Sequence, residues 1–398
     1  MTSAGTFLRP SRAPHTSGAP RLLCVFDGGD APGYSSVAVA LTEEGTRRGY
    51  EVWAATEGFR SLTHDTQSDL RFERLVVSRS ERYALLAKGI PTRSMGRRVL
   101  DPGSDFRSER YTGFLRPEIR DLAARNFHAQ GFTHLVTVGG NGTFDGTKAW
   151  LERFDALGEA DPTPPTAFVN VSVDNDVGGD RAIGFLSGIE AGATIARGLY
   201  EDSYTHKRVY LLEMMGNRSG RHALHCGVAA RAHLIVLPFF RFPEEVIRDV
   251  AEALGSAEHA LVVVAEGYEL ERRKKLGLEQ SASAYFKMQL EQFGLRDQPT
   301  RRVIAEPFSR YLRGVRPGFS DVSAAYLKAS LLFDAMESGR TRFMPYVLAG
   351  HDVGVRPFEQ IVREDRVERA FLPLLDRFGL PSLEKWVREN FTTEDRVL

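Results

Sequence analysis

Short runs of core-type residues alternate with longer amphipathic stretches along this chain, and that alternation limits the fold more than any other feature. The runs LLCVF (22–26), HLVTV (134–138), AFVNVSV (167–173), RVYLLEM (208–214), HLIVLP (233–238) and ALVVVAEG (260–267) are apolar nearly throughout rather than at every second position. A strand of that kind is covered on both faces, the condition of a parallel sheet between layers of helices. Between them, SSVAVALTEEGTRRG, SGIEAGATIARGLYED and PEEVIRDVAEALGSA repeat apolar residues every three and four positions, the spacing of one helix face. Strand, helix and strand in repetition predict an α/β fold of mainly parallel sheets sandwiched by helices. Ligands then gather beyond the carboxyl ends of the strands.

At 398 residues the chain exceeds what one core supports, so two Rossmann-like lobes of roughly 150–200 residues are expected. Its 52 basic side chains are matched by 52 acidic ones, which argues against a nucleic-acid partner and leaves room for a phosphorylated small molecule. Cys24 and Cys226, the two cysteines, lack metal-ligand spacing and suit a reduced cytoplasm better than a disulfide scaffold. No apolar run reaches the ~18 residues of a bilayer span, so no membrane partner is expected. Residues 1–20, with arginines, Ser, Thr and Pro but no acid, read as a disordered tail, a transit peptide being the alternative. ELERRKKLGLEQ (269–280) reads as a solvated excursion and FGLPSLEKWVRENF as a closing amphipathic helix.

Three strand ends carry candidate chemistry. After the first strand, FDGGDAPGYSS (26–36) offers Gly28, Gly29 and Gly33, which bring backbone N–H groups close to a ligand at a helix N-terminus. A plain βα turn is the alternative. VTVGGNGTFDG (136–146) repeats the strand–glycine–helix junction, and two such turns in one lobe favour a polyphosphate held by backbone amides from both. Neither matches the P-loop or the dinucleotide fingerprint. VNVSVDNDVGGD (169–180) ends its strand on Asp174 and Asp176, where a carboxylate could take the proton of an acceptor hydroxyl during phosphoryl transfer. The alternative there is an Asx turn. Later, Arg208 and Arg313 are forks suited to phosphate oxygens and Glu266 an acceptor for sugar hydroxyls, unless each belongs to a surface ion pair.

With GGDAPG, GGNGT, VDND…IGF, MG…SG, AEG and RG in this order, the chain resembles the phosphofructokinase family from about Arg21 to Arg363. The resemblance implies a two-lobed α/β kinase that moves a phosphoryl group from ATP or pyrophosphate to the 1-hydroxyl of fructose 6-phosphate, with Mg²⁺, as a homodimer or homotetramer. It implies a donor domain over 21–185 plus 321–358 and an acceptor domain over 186–320 plus 359–398. Asp174 becomes the general base, Asp176 its acidic partner, and Ser172 stands where the family has Thr. Gly28, Gly29, Gly139, Gly140, Gly142 and Thr143 line the donor phosphates, Phe59 the nucleotide base, and Arg98 or Arg97 the transferring phosphoryl. Met215, Gly216 and Glu266 face the sugar, and Arg208 and Arg313 take its 6-phosphate across a subunit interface.

The departures fall on expected ligand contacts. Asn141 stands where the family places a metal-holding Asp beside Asp176; an amide oxygen coordinates Mg²⁺ without adding charge, and Asp145 is a candidate helper. Asn217 replaces an Arg, Val322 another, and Tyr34-Ser35 the usual Met-Asn, so an acceptor other than fructose 6-phosphate is expected. Gly142 and Val171, in place of the Asp and Lys of pyrophosphate users, favour ATP as donor over pyrophosphate. Two further readings stand beside this one. The first is a non-catalytic sugar-phosphate- or nucleotide-binding regulator; the second, weaker, is a metal site at His222, His225 and Cys226.

Overall fold

The computed structural model describes residues 18–158, 162–278, 280–348, 352–363 and 369–391. Most of the expected 1–20 tail therefore lies outside the described residues. The described chain contains strands β1 (Arg21–Phe26), β2 (Glu51–Phe59), β3 (Phe72–Val76), β4 (Thr92–Ser94), β5 (His134–Gly139), β6 (Thr166–Asn170), β7 (Arg208–Met214), β8 (Leu234–Val236), β9 (Ala260–Ala265), β10 (Arg302–Pro307), β11 (Phe343–Val347) and β12 (Val353–Pro357). Its helices are α1 (Tyr34–Arg47), α2 (Arg79–Ala87), α3 (Pro117–Ala129), α4 (Asn141–Leu157), α5 (Phe185–His206), α6 (Arg221–Ala229), α7 (Glu244–Ser256), α8 (Leu270–Lys275), α9 (Ala282–Gln292), α10 (Phe319–Glu337) and α11 (Pro381–Phe391). No helix among the described residues is long and apolar enough to cross a membrane.

The chain divides into two compact units. The first comprises Met1–Ser172, Val177–Phe185 and Arg316–Arg363; the second comprises Val173–Asp176, Leu186–Val315 and Glu364–Leu398. In the first, eight strands form one sheet in the order β12-β11-β6-β5-β1-β2-β3-β4. Its pairs are parallel except β2 with β3 and β11 with β12. Every residue of β1 and β6 is buried, and only His134 of β5 is not, as covering helices on both faces require. β1 lies between β2 and β5, so the chain leaves it to one side and later returns to the other. The carboxyl ends of β1 and β5 are consequently neighbours, with Phe26 opposite Val138. That reversal of strand order is where doubly wound sheets bind ligands. An aromatic core of Phe59, Phe114, Phe127, Trp150 and Phe154 fills the space beneath α3 and α4.

The second unit has four parallel strands in the order β10-β7-β9-β8. α11 closes it by packing Trp386 and Phe391 on Phe240.

Two expected strands are shorter than their apolar runs. AFVNVSV pairs only through Asn170, because Val171 bridges Ile183 and Ser172 N–H donates to the Ile183 carbonyl at 3.0 Å. HLIVLP is strand only over Leu234–Val236. The expected solvated excursion at 269–280 is exposed over most of its described residues. Within it, however, α8 turns Arg273 inward, where it is buried and donates to the carbonyls of Tyr268 (3.0 Å), Gln280 (2.8 Å) and Glu266 (2.5 Å).

Candidate active site

In the first unit, two glycine turns end the neighbouring strands β1 and β5 and open α1 and α4. Both helices start from a glycine N-cap, Gly33 and Gly140, with no side-chain cap. Amide donors of a first turn without such a cap are available to an anion, and the helix dipole favours one there. The turns are tied together. Thr143 Oγ1, one turn into α4, lies 3.1 Å from the Asp27 carbonyl and 3.2 Å from Asp27 Oδ2. The approach is close enough that a Cβ on Gly139 would stand 2.5 Å from the Asp27 carbonyl, so only glycine fits. A Cβ on Gly142 would meet nothing within 4 Å, so no protein atom occupies that side of the turn.

Asp27 is a member of this cradle that sequence reasoning missed. It is 6% exposed, and Oδ1 accepts the Phe59 N–H at 3.4 Å. Burial raises its pKa to about 7 against the opposing hydrogen bonds from Phe59 and Thr143, and Glu109 adds to the rise. Glu109 belongs to a segment folded over the first turn: its carbonyl accepts the Gly28 N–H at 3.3 Å, which assigns that amide to the protein rather than to a ligand. The same segment is anchored on α1 by Ser36 Oγ, which donates to the Val99 carbonyl at 2.6 Å.

Several residues of the first unit stand differently from what the sequence suggests. Tyr34, read as an altered ligand contact, is fully buried and donates its hydroxyl to the carbonyls of Asp27 (2.9 Å) and Gly29 (3.2 Å). It stiffens the turn from beneath. Phe59 is 3% exposed, with Phe114 stacked at 4.1 Å on one face and Trp150 against its edge at 5.8 Å, so a base cannot take that face. Asp145 is exposed and pairs with Lys148 at 3.3 Å, the ordinary state of a helix-surface acid. Arg98 pairs with Asp105 and lines a cavity of ≈ 530 Å³ together with Arg79, Arg82, Arg93 and Arg97. Ser172 lies beside the second turn, its Oγ 3.3 Å from where a Cβ on Gly140 would stand.

In the second unit, Asp174 and Asp176 flank Asn175, whose φ of +51° is left-handed. The stretch is held from its backbone: Ser219 Oγ donates to the Asp174 carbonyl at 3.2 Å, and Arg221 Nη1 donates to the Asn175 carbonyl. A second group gathers at the carboxyl ends of β7 and β9. Met215 is buried there, Gly216 packs against Gly220, and Ser309 Oγ donates to Glu213 Oε1 at 3.3 Å. Burial raises the Glu266 pKa; Arg313 opposes the rise and Glu213 adds to it. Glu213, also missed from sequence, accepts the N–H groups of Ala282 (2.5 Å) and Ser283 (3.4 Å) at the start of α9.

Met215, Gly216, Glu266 and Arg313 are thus brought together within one chain. Arg208 is not among them. It sits at the amino end of β7, bonded to Asp202 Oδ2 at 2.9 Å and the Tyr210 hydroxyl at 3.0 Å. The seven-residue strand separates it from Met215 by roughly 20 Å. His222 and Cys226 share a face of α6 in the core, and among the described residues no group of three or more His, Cys, Asp or Glu side chains could hold a metal ion. Mg²⁺ takes one or two carboxylates plus phosphate oxygens and water, so it does not need such a protein-only cage.

The family model described as Phosphofructokinase matches residues 21–331. The ATP-dependent 6-phosphofructokinase of Aquifex aeolicus is 29% identical over 245 residues, 61% of this chain and 67% of that protein. That of Staphylococcus carnosus is 29% identical over 254 residues, 62% of this chain and 69% of its own. Among solved structures, Pichia pastoris phosphofructokinase in the T-state superposes with a TM-score of 0.69 at 21% identity over 87% of this chain. This chain spans 36% of that one. The pyrophosphate-dependent phosphofructokinase of Marinobacter aquaeolei gives 0.66 at 18% identity, over 90% of this chain and 92% of its own. At these identities the structural likeness concerns the fold alone.

Proposed function

Because this chain is a member of the phosphofructokinase family, we propose that it moves the terminal phosphoryl group of ATP to a hydroxyl of a sugar phosphate or related polyol. The observation that carries the reading is the pair of glycine turns at the ends of β1 and β5, each opening a helix without a side-chain cap and cross-tied through Asp27 and Thr143. Such a cradle suits a chain of phosphates. The open space beside Gly142 supports a nucleotide donor, since pyrophosphate users carry a side chain there. In this reading residues 21–185 plus 321–358 serve the donor and residues 186–320 plus 359–398 the acceptor.

Asp174 accepts the proton of the attacking hydroxyl, and Arg98, with its row of arginines, attracts the phosphoryl group in flight. Asp176 would hold Mg²⁺, which when bound neutralises phosphate charge. Glu266 accepts hydrogen bonds from the acceptor's hydroxyls and Arg313 faces its phosphate. Asn141, Asn217 and Val322 each lack a charge that the family pattern has, which argues for an acceptor other than fructose 6-phosphate. Arg208, remote from Glu266 in its own chain, would act in a neighbouring copy of a homodimer or homotetramer.

A coupled assay of ATP, GTP and pyrophosphate against free and phosphorylated sugars, cyclitols and nucleosides tests the proposal. Turnover with ATP and a polyol acceptor is expected. Calorimetric binding of ATP without transfer to any acceptor would favour the non-catalytic regulator instead, and fructose 6-phosphate turnover at ordinary rates would refute the altered acceptor.

A further inference from the structure

Two consecutive peptide carbonyls in the acidic stretch accept hydrogen bonds from side chains at and just before the start of α6. Ser219 Oγ donates to the Asp174 carbonyl at 3.2 Å, and Arg221 Nη1 to the Asn175 carbonyl. The larger donor is almost completely enclosed: Arg221 is 6% exposed. Its side chain cannot swing away from the carbonyl without displacing packed neighbours.

We propose that Arg221 is a positioning residue that holds the backbone beside Asp174 and so fixes where its carboxylate stands. The inference rests on the reading of Asp174 as the base. A buried polar side chain costs stability unless its bonds are made, and here one goes to the peptide group next to the reacting acid. With Ser219 on the Asp174 carbonyl and Arg221 on the Asn175 carbonyl, the two peptide planes that follow Asp174 are held against rotation. The left-handed Asn175, whose φ is +51°, is held in that conformation by the Arg221 bond to its carbonyl. A carboxylate that must meet a hydroxyl at about 3 Å loses roughly 10²-fold in rate for a 1 Å misplacement, whereas ground-state binding by other residues is untouched.

The test compares Arg221→Met with Arg221→Lys. Met keeps most of the volume and loses the donor; Lys keeps a donor. With the acceptor found in the assay panel, Arg221→Met should lower kcat 10- to 100-fold while the KM for ATP changes less than threefold. Arg221→Lys should recover at least a third of the parental kcat. In parallel, amide hydrogen exchange of a peptide covering 170–180 should accelerate at least tenfold in Arg221→Met and stay near parental in Arg221→Lys. Parental kcat in Arg221→Met, equal losses in both variants, or unchanged exchange in Arg221→Met would each overturn the inference. Asp174→Asn is the control for the underlying reading: if it keeps turnover, the base assignment fails; if it is inactive while Arg221→Met is not, only the positioning role fails. Should Arg221→Met not fold, Arg221→Lys decides: a kcat below a third of the parental value, or accelerated exchange, overturns the inference.

Discussion

Replacing Asp27 by asparagine should stabilise the protein, and the gain should grow with pH. The unfolded chain gives up this proton near the ordinary value of 3.8, whereas the folded chain holds it to about 7. Between those values the folded state binds more protons than the unfolded one, so stability falls as pH rises through the window and levels off above it. At about 1.4 kcal/mol per unit, the roughly three-unit gap amounts to about 4 kcal/mol at pH 8. About 2.5 kcal/mol of that develops between pH 5 and pH 8. Asparagine has no proton to lose and escapes this cost. Its amide group meets Thr143 Oγ1 and the Phe59 N–H less well than the acid does, but that penalty is the same at every pH. The informative quantity is therefore the change in the Tm difference between variant and parent. For units of 150–250 residues, about 2.5 kcal/mol corresponds to roughly 5–10 °C. Thermal unfolding of both proteins without ligand, at whole pH units from 5 to 8, measures it. A Tm difference that stays constant across that range would refute the claim that Asp27 keeps its proton in the fold.

Asp174→Asn should leave the unfolding transition in place and lower kcat by roughly 10²–10⁴-fold in the coupled assay, because only proton removal is lost. Lys328, wholly buried, pairs at 2.5 Å with Asp180, which also accepts the Val347 N–H at 2.9 Å. Lys328→Met strands that acid and should cost about 3–5 kcal/mol by denaturant unfolding, with much of the loss recovered in the double variant carrying Asp180→Asn. Gly139→Ala forces a methyl group to within 2.5 Å of the Asp27 carbonyl. The turns must part, so calorimetric ATP affinity should fall at least tenfold while the circular dichroism spectrum is retained.

The strands that the sequence makes legible are those covered on both sides. β1, β5, β6, β7 and β9 are buried along nearly their whole length, so their residues are apolar in succession and need no neighbour to be recognised. β3 (FERLV), β4 (TRS) and β10 (RVIAEP) lie at or near sheet edges, where charged side chains interrupt the apolar run and dilute any pattern. β11 (FMPYV) carries a proline and β12 (VGVRP) is half-exposed, and these two pair antiparallel, an arrangement that the repetition of strand and helix does not foretell. What strand repetition predicts is the parallel core, and the core is what brings the two glycine turns side by side.

The candidate site divides along a different line. Residues that act through backbone geometry announce themselves, because glycines in a row after an apolar run have few other uses; Gly139 beside Asp27 is the clearest case. Residues that act through a distant partner do not. Asp27 stands among Asp and Gly in a sequence that any turn would accept, and its partners Phe59, Glu109 and Thr143 are 32, 82 and 116 positions away. Tyr34 looked like a changed ligand contact because its neighbours are glycines, yet its ring is core and only its hydroxyl reaches the turn. Arg221 did leave a signal: a large charged side chain at the start of a helix that is otherwise buried in the core. The charge was visible in the sequence, but its target was not, since the carbonyl it serves lies 46 positions upstream on a stretch without regular structure. A buried donor aimed at a peptide carbonyl marks a backbone that something else needs held still, and here that backbone carries the proposed base.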